Sequence, residues 1–561
     1  MASTAPQEFM FVDFHRDNAS TRKARQIFAQ NTYQRKKRLA AVERLKTSTT
    51  QRLRQRLPFR YAAARDEDRR PSEGPATNPR HPHPQENNLQ IARSRSRASW
   101  AEFVSPKTLL GQGFVDPFST SAVPMSDIMN SYFHHLRTFT IQQSYPLDAP
   151  RMKIWWWQKA LSEPAIQQAL LVSAASHQTA LNTLAGVSPQ YMRSSVREFL
   201  RLRGDTIKTL NGKLRDPGAV AESTILIVAS LRAIEAISAS VEGVTAHTTG
   251  LEVLINLHGG LDALEHLTVS KIYHGDIIRA ALTDTPPLPL SPKWRAEILQ
   301  GLKLFSTSTG FLSSLADLDP TLHNQLSHLG TSFLNAPWLT TLPPTLQTTL
   351  VISQRLVAYY EAAQVDPSLI KPTDNDLFVV LMHRLVADTY KDTVHEPLRL
   401  CLLVYLNMRV WHLQSFPIMA CLVGMLRGSL LSPSASASVS AVDVAVDVDG
   451  GCSVLSHLQS VAPDLLFWIL FIGGMASHGH SGHSWFLGRL AECASRLGFG
   501  LEGDAGWADV RGLLGGFFYT DQKGEVLGEE VWGDVLGLIQ ATATAASVKS
   551  EGVSGGGGAC V

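Results

Sequence analysis

The sequence LQTTLVISQRLVAYY, residues 346–360, decides the fold class. Its large apolar side chains recur at helical spacing and form one stripe along the helix. The residues on this stripe are Leu346, Leu350, Leu356, Val357 and Tyr360. A β-strand with one buried face would alternate apolar and polar residues, and this stretch does not. It therefore predicts a buried helix.

Apolar segments with helical periodicity recur along the chain, at 165–185, 224–239, 398–411, 465–475 and 485–497. No strand-like run has comparable strength, and no fixed-period repeat indicates a regular solenoid. The sequence therefore predicts an all-α protein. We expect an irregular multi-helix domain preceded by a disordered basic N-terminal arm.

Charge divides the chain into two parts. Residues 1–100 contain 21 Lys and Arg against 9 Asp and Glu, a net charge of +12, whereas residues 101–561 carry a net charge of −10. Between Arg22 and Arg60 there are 13 basic residues and one acid, Glu43. Because like charges on a helix repel one another, we expect order in this segment only on a polyanionic partner.

Composition also predicts the domain boundaries. Prolines and polar residues fill 65–99, so we expect a basic, largely disordered arm and linker over 1–105. A helical body follows over 106–540, with Ser126 or Asp127 as the N-cap of an early helix. The stretch SPSASASVSAVDVAVDVDGG predicts a low-complexity insertion at 430–455. The end of the chain predicts a disordered tail over 541–561.

Cysteine usage and hydropathy indicate in which cellular compartment the protein resides. All five cysteines lie after residue 400, and none form a C-x-x-C motif, which favours a reducing compartment. The N-terminus lacks the apolar segment of a signal peptide. The longest strongly apolar run, 465–475, is shorter than the roughly 18 to 20 residues of a membrane span. We expect neither secretion nor a membrane partner.

Motifs of the common enzyme classes are missing from the sequence. It contains no G-x-x-x-x-G-K-[ST], no G-x-G-x-x-G after a strand, no G-x-S-x-G and no H-E-x-x-H. We therefore expect a protein that is not an enzyme, with no catalytic residues, no cofactor and no metal. An enzyme that uses a pocket inside the helical body is the third hypothesis after the two developed below.

Histidines supply the main candidates for a metal site. His478, His480 and His483 lie within six residues and could bind zinc or copper, but no carboxylate stands nearby to orient them. We therefore favour a polar loop between two buried helices. His247 and His258 share an apolar helix face, and we interpret them as core histidines.

Three consecutive tryptophans, Trp155–Trp157, could stack on nucleic-acid bases. Consecutive residues point around a helix rather than along one face, however, and an ordinary amphipathic helix continues after them. We therefore favour packing in the core.

The basic arm contains two clusters of cations separated by 11 residues, the layout of a bipartite nuclear-import signal. Its candidate contacts to an import carrier, or to the phosphates of nucleic acid, are Arg22, Lys23, Arg25, Arg35, Lys36, Lys37 and Arg38. Phosphate neutralisation gives weak, non-specific binding. A leucine-zipper basic region does not fit, because Leu39 stands eight positions after Asn31 where Arg is required. A solvated basic tail is the alternative.

The stretch HTTGLEVLINLHGGLDAL (247–264) resembles part of the fungal-specific transcription factor domain, a helical regulatory region usually found C-terminal to a binuclear zinc cluster. Gly259 and Gly260 are suited to end its helix, because the residue after a helix often needs a positive φ. Three further stretches resemble the same family. They are the basic segment 9–38, the stretch DPFSTSAVPM (116–125) and the closing segment 463–532. The basic segment is similar to that of family members without a zinc cluster, some of which are labelled tachykinin family protein.

One departure from the family limits what the resemblance implies. The zinc cluster needs six cysteines within about thirty residues, and no cysteine precedes Cys401. The resemblance therefore implies the helical domain and a regulatory setting, without sequence-specific DNA binding.

Two functional hypotheses follow. The first is a fungal-type transcription regulator in the nucleus, whose helical domain binds other proteins or an effector. Its expected partners are a nuclear-import carrier, other regulatory proteins, a second copy of the chain and, weakly, nucleic acid. The alternative is a helical scaffold or adaptor with a solvated basic tail and no role at promoters.

Overall fold

Helices account for nearly all the regular structure of the body. The computed structural model describes residues 125–216, 219–298, 320–391, 393–433, 453–499, 506–520 and 527–554. Within these ranges the secondary structure is helical, apart from one isolated β-bridge between Pro433 and Ser453. The predicted all-α fold class is confirmed. The basic arm with its seven candidate cations, and most of the predicted 430–455 insertion, lie outside the described residues.

The first part of the body contains helices α1 to α8. In chain order they span Asp127–His135, Ile141–Ser144, Ala149–Ser162, Pro164–Leu184, Pro189–Lys213, Glu222–Ile237, Val241–His258 and His266–Thr283. A π-helical turn, Leu136–Thr140, joins α1 to α2. A 3₁₀ turn, Leu261–Ala263, follows α7, and residues 292–298 are helical as well.

The second part contains helices α9 to α19. They span Pro320–His328, Thr331–Leu334, Pro344–Val365, Asp374–Ala387, Glu396–Arg409, Pro417–Leu431, Val454–Val461, Pro463–Ala476, His483–Arg496, Trp507–Gly516 and Leu527–Ser554. Short 3₁₀ turns lie at Pro337–Thr341 and Pro367–Leu369.

Apolar periodicity located six of these helices to within a few residues of their ends. The stripe in 346–360 lies in α11, where all five of its predicted side chains are buried. The other predicted segments lie in α4, α6, α13, α16 and α17.

Local sequence explains where helices begin and end. Ser126 caps α1, because its side chain accepts a hydrogen bond from the Met129 N–H at 3.3 Å, and this confirms the predicted N-cap. Proline stands in the first turn of α4, α5, α11, α13, α14 and α16, a position where its missing N–H costs nothing. Gly259 (φ 108°) and Gly260 (φ 91°) end α7, as predicted.

The core of the second part is aromatic. Trp468 of α16 is fully buried, and its Nε1 donates a hydrogen bond to the Phe518 carbonyl at 3.1 Å. The ring of Phe333 lies 5.1 Å from that of Trp468 and 4.9 Å from that of Phe517. Such ring pairs stabilise the packing of α10, α16 and the segment after α18. Across the described ranges, no helix combines the length and the apolar character needed to cross a bilayer.

The C-terminal helix extends further than composition indicated. Helix α19 continues to Ser554, whereas the sequence predicted a disordered tail from 541. The stretch ATATAASVKS, residues 541–550, is rich in alanine, which has the highest helix propensity and lets the helix continue. For residues 541–554 the structure therefore corrects the prediction.

Candidate functional site

A cavity lies among α2, α4, α6, α8, the turn between α1 and α2, and the segment that follows α13. Its volume is about 70 Å³, and one water needs roughly 10–15 Å³ of such space. We call it the Lys271 cavity. Several lining residues, among them Gln143, Ile237 and His412, are only half-buried, so the cavity reaches the surface.

Helix α4 brings His177 to the cavity wall. His177 is 2% exposed and follows Ser173 by one helical turn, so both side chains face the cavity. Its Nδ1 lies 3.0 Å from Thr140 Oγ1 and 3.1 Å from His135 Nε2. Its Nε2 has no hydrogen-bond partner within the described part of the chain. Burial lowers the pKa of His177 well below its usual value and that of His135 to about 4, so both rings are neutral.

Helix α8 contributes Lys271 and His274, which share one face at a spacing of three residues. Burial, together with the charge of Arg232, lowers the pKa of Lys271 to about 8. No carboxylate among the described residues forms an ion pair with Lys271. Burial also lowers the pKa of His274 to about 3, and its Nε2 has no partner in the same ranges. Among the described residues of the cavity wall, Lys271 is therefore the only one with a full charge at neutral pH.

The segment after α13 closes the cavity with aromatic side chains. Trp411 lies 4.4 Å from His274 between ring centroids, and Phe416 stacks on His177 at 5.7 Å. His412 lies between them, and burial lowers its pKa to about 4.

Two unusual backbone conformations meet at this cavity. His412 adopts a left-handed conformation (φ 48°), which is costly for a residue with a Cβ. On the opposite wall Thr140 ends the π-helical turn, in which the Ile141 N–H donates to the Leu136 carbonyl five residues earlier. Both features are frequent at functional sites, and their coincidence here marks the cavity as the candidate site.

The chemistry of the wall suits binding of a small molecule. Each neutral imidazole offers one donor and one acceptor, and Lys271 offers a cation. No Asp or Glu stands among the described residues that line the cavity. The rest of the wall combines four uncharged polar residues, Thr140, Gln143, Ser144 and Ser173, with an apolar part formed largely by Ile234, Ile278 and Leu413. This mixture of an apolar wall with a few convergent polar groups is typical of ligand sites.

A second, larger opening of about 900 Å³ lies at the surface between Trp338, His395 and Asp464. It is wide and shallow. Its described wall has no buried imidazole nitrogen without a hydrogen-bond partner, in contrast to His177 and His274 at the Lys271 cavity.

The histidines singled out in the sequence lie elsewhere. His480 Nε2 lies 2.7 Å from the Gln414 carbonyl, and His483 Nδ1 lies 3.0 Å from the Gly474 carbonyl. His478 and His480 lie in the connection between α16 and α17, as the polar-loop interpretation predicted, whereas His483 is the first residue of α17. In the described ranges, no group of three His, Cys, Asp or Glu side chains is arranged to hold a metal ion.

His247 and His258 are half-buried rather than fully in the core. His258 Nδ1 lies 2.8 Å from the Val220 carbonyl, which ties the end of α7 to the segment before α6. Trp155 and Trp156 are 5% and 3% exposed and confirm core packing. For Trp157 that interpretation is wrong, because the third consecutive residue points away from the core and is 41% exposed.

The sequence did not indicate the four residues that give the cavity its chemistry: His177, Lys271, His274 and His412. A local signal existed, since each is a polar residue within an apolar helix or next to one. Lys271 and His274 are also three residues apart on one helix, which places them on the same face. Nothing in the local sequence, however, connects α4, α8 and the segment after α13.

Comparison with known proteins supplies the family. A family model described as the fungal specific transcription factor domain matches residues 114–504, which include every residue that lines the Lys271 cavity. No curated protein and no solved structure matches the chain. The family is one of transcription factors and not of enzymes. The match covers well over half of the chain, and the protein belongs to the family of the fungal specific transcription factor domain.

Proposed function

We propose that this protein is a nuclear regulator of transcription whose helical body acts through other proteins and responds to an effector in the Lys271 cavity. The observation that carries the proposal is that the family match, 114–504, contains the whole cavity wall. A helical fold with an uncompensated cation in a cavity is suited to sensing, because a ligand that binds one conformation shifts the population toward it.

The basic arm supports a nuclear location. Its two clusters, Arg22 with Lys23 and 35–38, have the spacing of a bipartite import signal. We propose that an import carrier binds them through charge-assisted hydrogen bonds. The same cations, with Arg25, would give weak and non-specific contact with nucleic acid.

Contact with promoters is proposed to be indirect. Residues 1–400 contain no cysteine, so they cannot form the six-cysteine zinc cluster by which relatives of this kind bind DNA. Other regulatory proteins, or a second copy of the chain, would then bring the helical body to its targets.

A reporter assay tests the regulatory role. The full chain, fused to a heterologous DNA-binding domain, should change transcription from a promoter that carries the matching site. The matched control is the same fusion aimed at a promoter without that site. An unchanged reporter, with the fusion present in the nucleus, would favour the scaffold or adaptor alternative.

A further inference from the structure

We propose that the Lys271 cavity binds a small organic monoanion, with its carboxylate at Lys271 and a short apolar tail against the isoleucines of the wall. This inference rests on the proposed function, because it names the chemical class of the effector for that same cavity.

The unpaired charge of Lys271 favours an anionic ligand. Lys271 has no acidic partner among the described residues, and none of the residues known to line the cavity is Asp or Glu. The nearest cation, Arg232, is already occupied: its NH1 donates to Asp276 Oδ1 at 3.2 Å and its NH2 to the Ile272 carbonyl at 2.7 Å. A poorly hydrated ammonium without a counter-ion is costly, and an anionic ligand would remove that cost.

Two imidazole nitrogens of the cavity wall are available to hydrogen-bond a ligand. His177 is 2% exposed, and its Nε2, like that of His274, has no partner within the described residues. When the Thr140 hydroxyl donates to His177 Nδ1, the ring proton sits on Nε2, which can then donate to a ligand oxygen. Lys271 and His177, joined by His274 in the tautomer that carries its proton on Nε2, match the lone pairs of one carboxylate.

The size and polarity of the cavity determine what the rest of the ligand can be. The cavity of about 70 Å³ admits only a few non-hydrogen atoms. Ile234, Ile237 and Ile278 form the apolar wall that a short hydrocarbon chain would cover. One cation also matches one negative charge, whereas a phosphate dianion would leave a buried charge uncompensated.

The test uses the full-length protein and isothermal titration calorimetry with butyrate and isovalerate. We expect millimolar or tighter binding of at least one of these acids and no comparable binding of butyramide or inorganic phosphate. Near pH 8 the free Lys271 is half-protonated, so binding should take up about half a proton, measured by repeating the titration in buffers of different ionisation enthalpy.

Variants locate the site. Lys271→Met should weaken binding by about 10- to 100-fold, because it removes a charge-assisted contact. The matched control is Lys208→Met, an exposed lysine on α5 that does not line the cavity. Since Lys271→Met removes an unpaired charge, it should fold, with a melting temperature at or above that of the parent. Lys271→Gln is the second variant should the first aggregate.

The titrations and the reporter assay can reject different parts of the proposal. The proposal fails if the amide binds as tightly as the acid, if neither acid binds, or if Lys271→Met binds as well as the parent. Reporter activity without binding of either acid would leave the proposed regulatory function standing and reject only the ligand class. Binding that leaves reporter activity unchanged would support the site and reject its role as a regulatory effector site.

Discussion

Arg409 and Glu361 form a buried pair with two parallel hydrogen bonds. Arg409 Nε and NH2 each donate to a separate carboxylate oxygen of Glu361 at 2.8 Å, and the two residues are 6% and 8% exposed. Arg409 also donates to Thr520 Oγ1 at 2.7 Å. The pair thus joins α11, the end of α13 and the segment after α18. It fixes α13 directly before the segment that closes the Lys271 cavity.

Breaking this pair should destabilise the body strongly. Glu361→Gln removes the carboxylate charge that pairs with the buried Arg409 guanidinium and should lower the free energy of unfolding by about 3–5 kcal/mol. The double variant Glu361→Gln with Arg409→Met should lose less than the sum of the two single losses. Chemical denaturation followed by circular dichroism measures these values.

The exposed pair Arg489 and Glu492, 2.8 Å apart with both side chains more than two-fifths exposed, provides the matched control. Glu492→Gln should cost less than about 1 kcal/mol. Equal losses for Glu361→Gln and Glu492→Gln would show that burial of the first pair does not matter.

Three histidines with lowered pKa values predict acid sensitivity. His135, His274 and His412 have pKa values lowered to about 4, 3 and 4 by burial, from an ordinary value of 6.5. The unfolded chain therefore binds more protons below pH 6.5. Stability should be full above that pH and should fall between about 6.5 and 4, by at most about 1.4 kcal/mol per pH unit for each histidine.

His274→Phe tests that pH dependence. It keeps the ring contact with Trp411 but cannot bind a proton, so the loss of stability on acidification should be smaller than in the parent. His457→Gln on α15, outside the cavity, is the control. Denaturation midpoints measured from pH 7 to pH 4 give the slopes. A slope for His274→Phe equal to that of the parent would contradict the assignment.

The import signal predicts a change of location. Replacing Arg35, Lys36, Lys37 and Arg38 together by Ala should move a tagged copy out of the nucleus, because each lost cation removes a contact to the carrier. Fluorescence microscopy measures the ratio of nuclear to cytosolic signal. The control is an equal charge loss at Arg52, Arg54, Arg56 and Arg60, which should leave the location unchanged. If both sets act alike, total charge rather than a bipartite signal determines location.

Nucleic-acid binding should be weak and without sequence preference. The 13 cations between Arg22 and Arg60 neutralise phosphates, so we expect dissociation constants on the order of 10⁻⁴ to 10⁻⁶ M at physiological salt. Fluorescence anisotropy with scrambled and genomic duplexes at rising salt measures this. Deletion of residues 1–70 should abolish binding, because the body that remains is acidic. A strong preference for one duplex, or binding by the truncated chain, would reveal a folded base-reading site.

The sequence predicted the fold better than the site, for a physical reason. Helices such as α4, α11 and α16 follow from local periodicity, and the end of α7 follows from two glycines. The Lys271 cavity depends instead on contacts between residues far apart in sequence, such as His177 with Phe416. A single sequence contains no record of such contacts. The histidines of 478–483 attracted attention because they are close in sequence, yet they form an ordinary polar connection.

The π-helical turn at Leu136–Thr140 amounts to one residue inserted into what would otherwise be a single helix from α1 through α2. The wider turn absorbs the added residue, so a one-residue deletion within it would restore an unbroken α-helix and leave the faces of α1 and α2 nearly unchanged. Tyr132 and His135 would stay buried, and the change would be confined to the stretch that carries Thr140. The smallest possible change in length would thus alter one part of the cavity wall without moving the helices on either side of it.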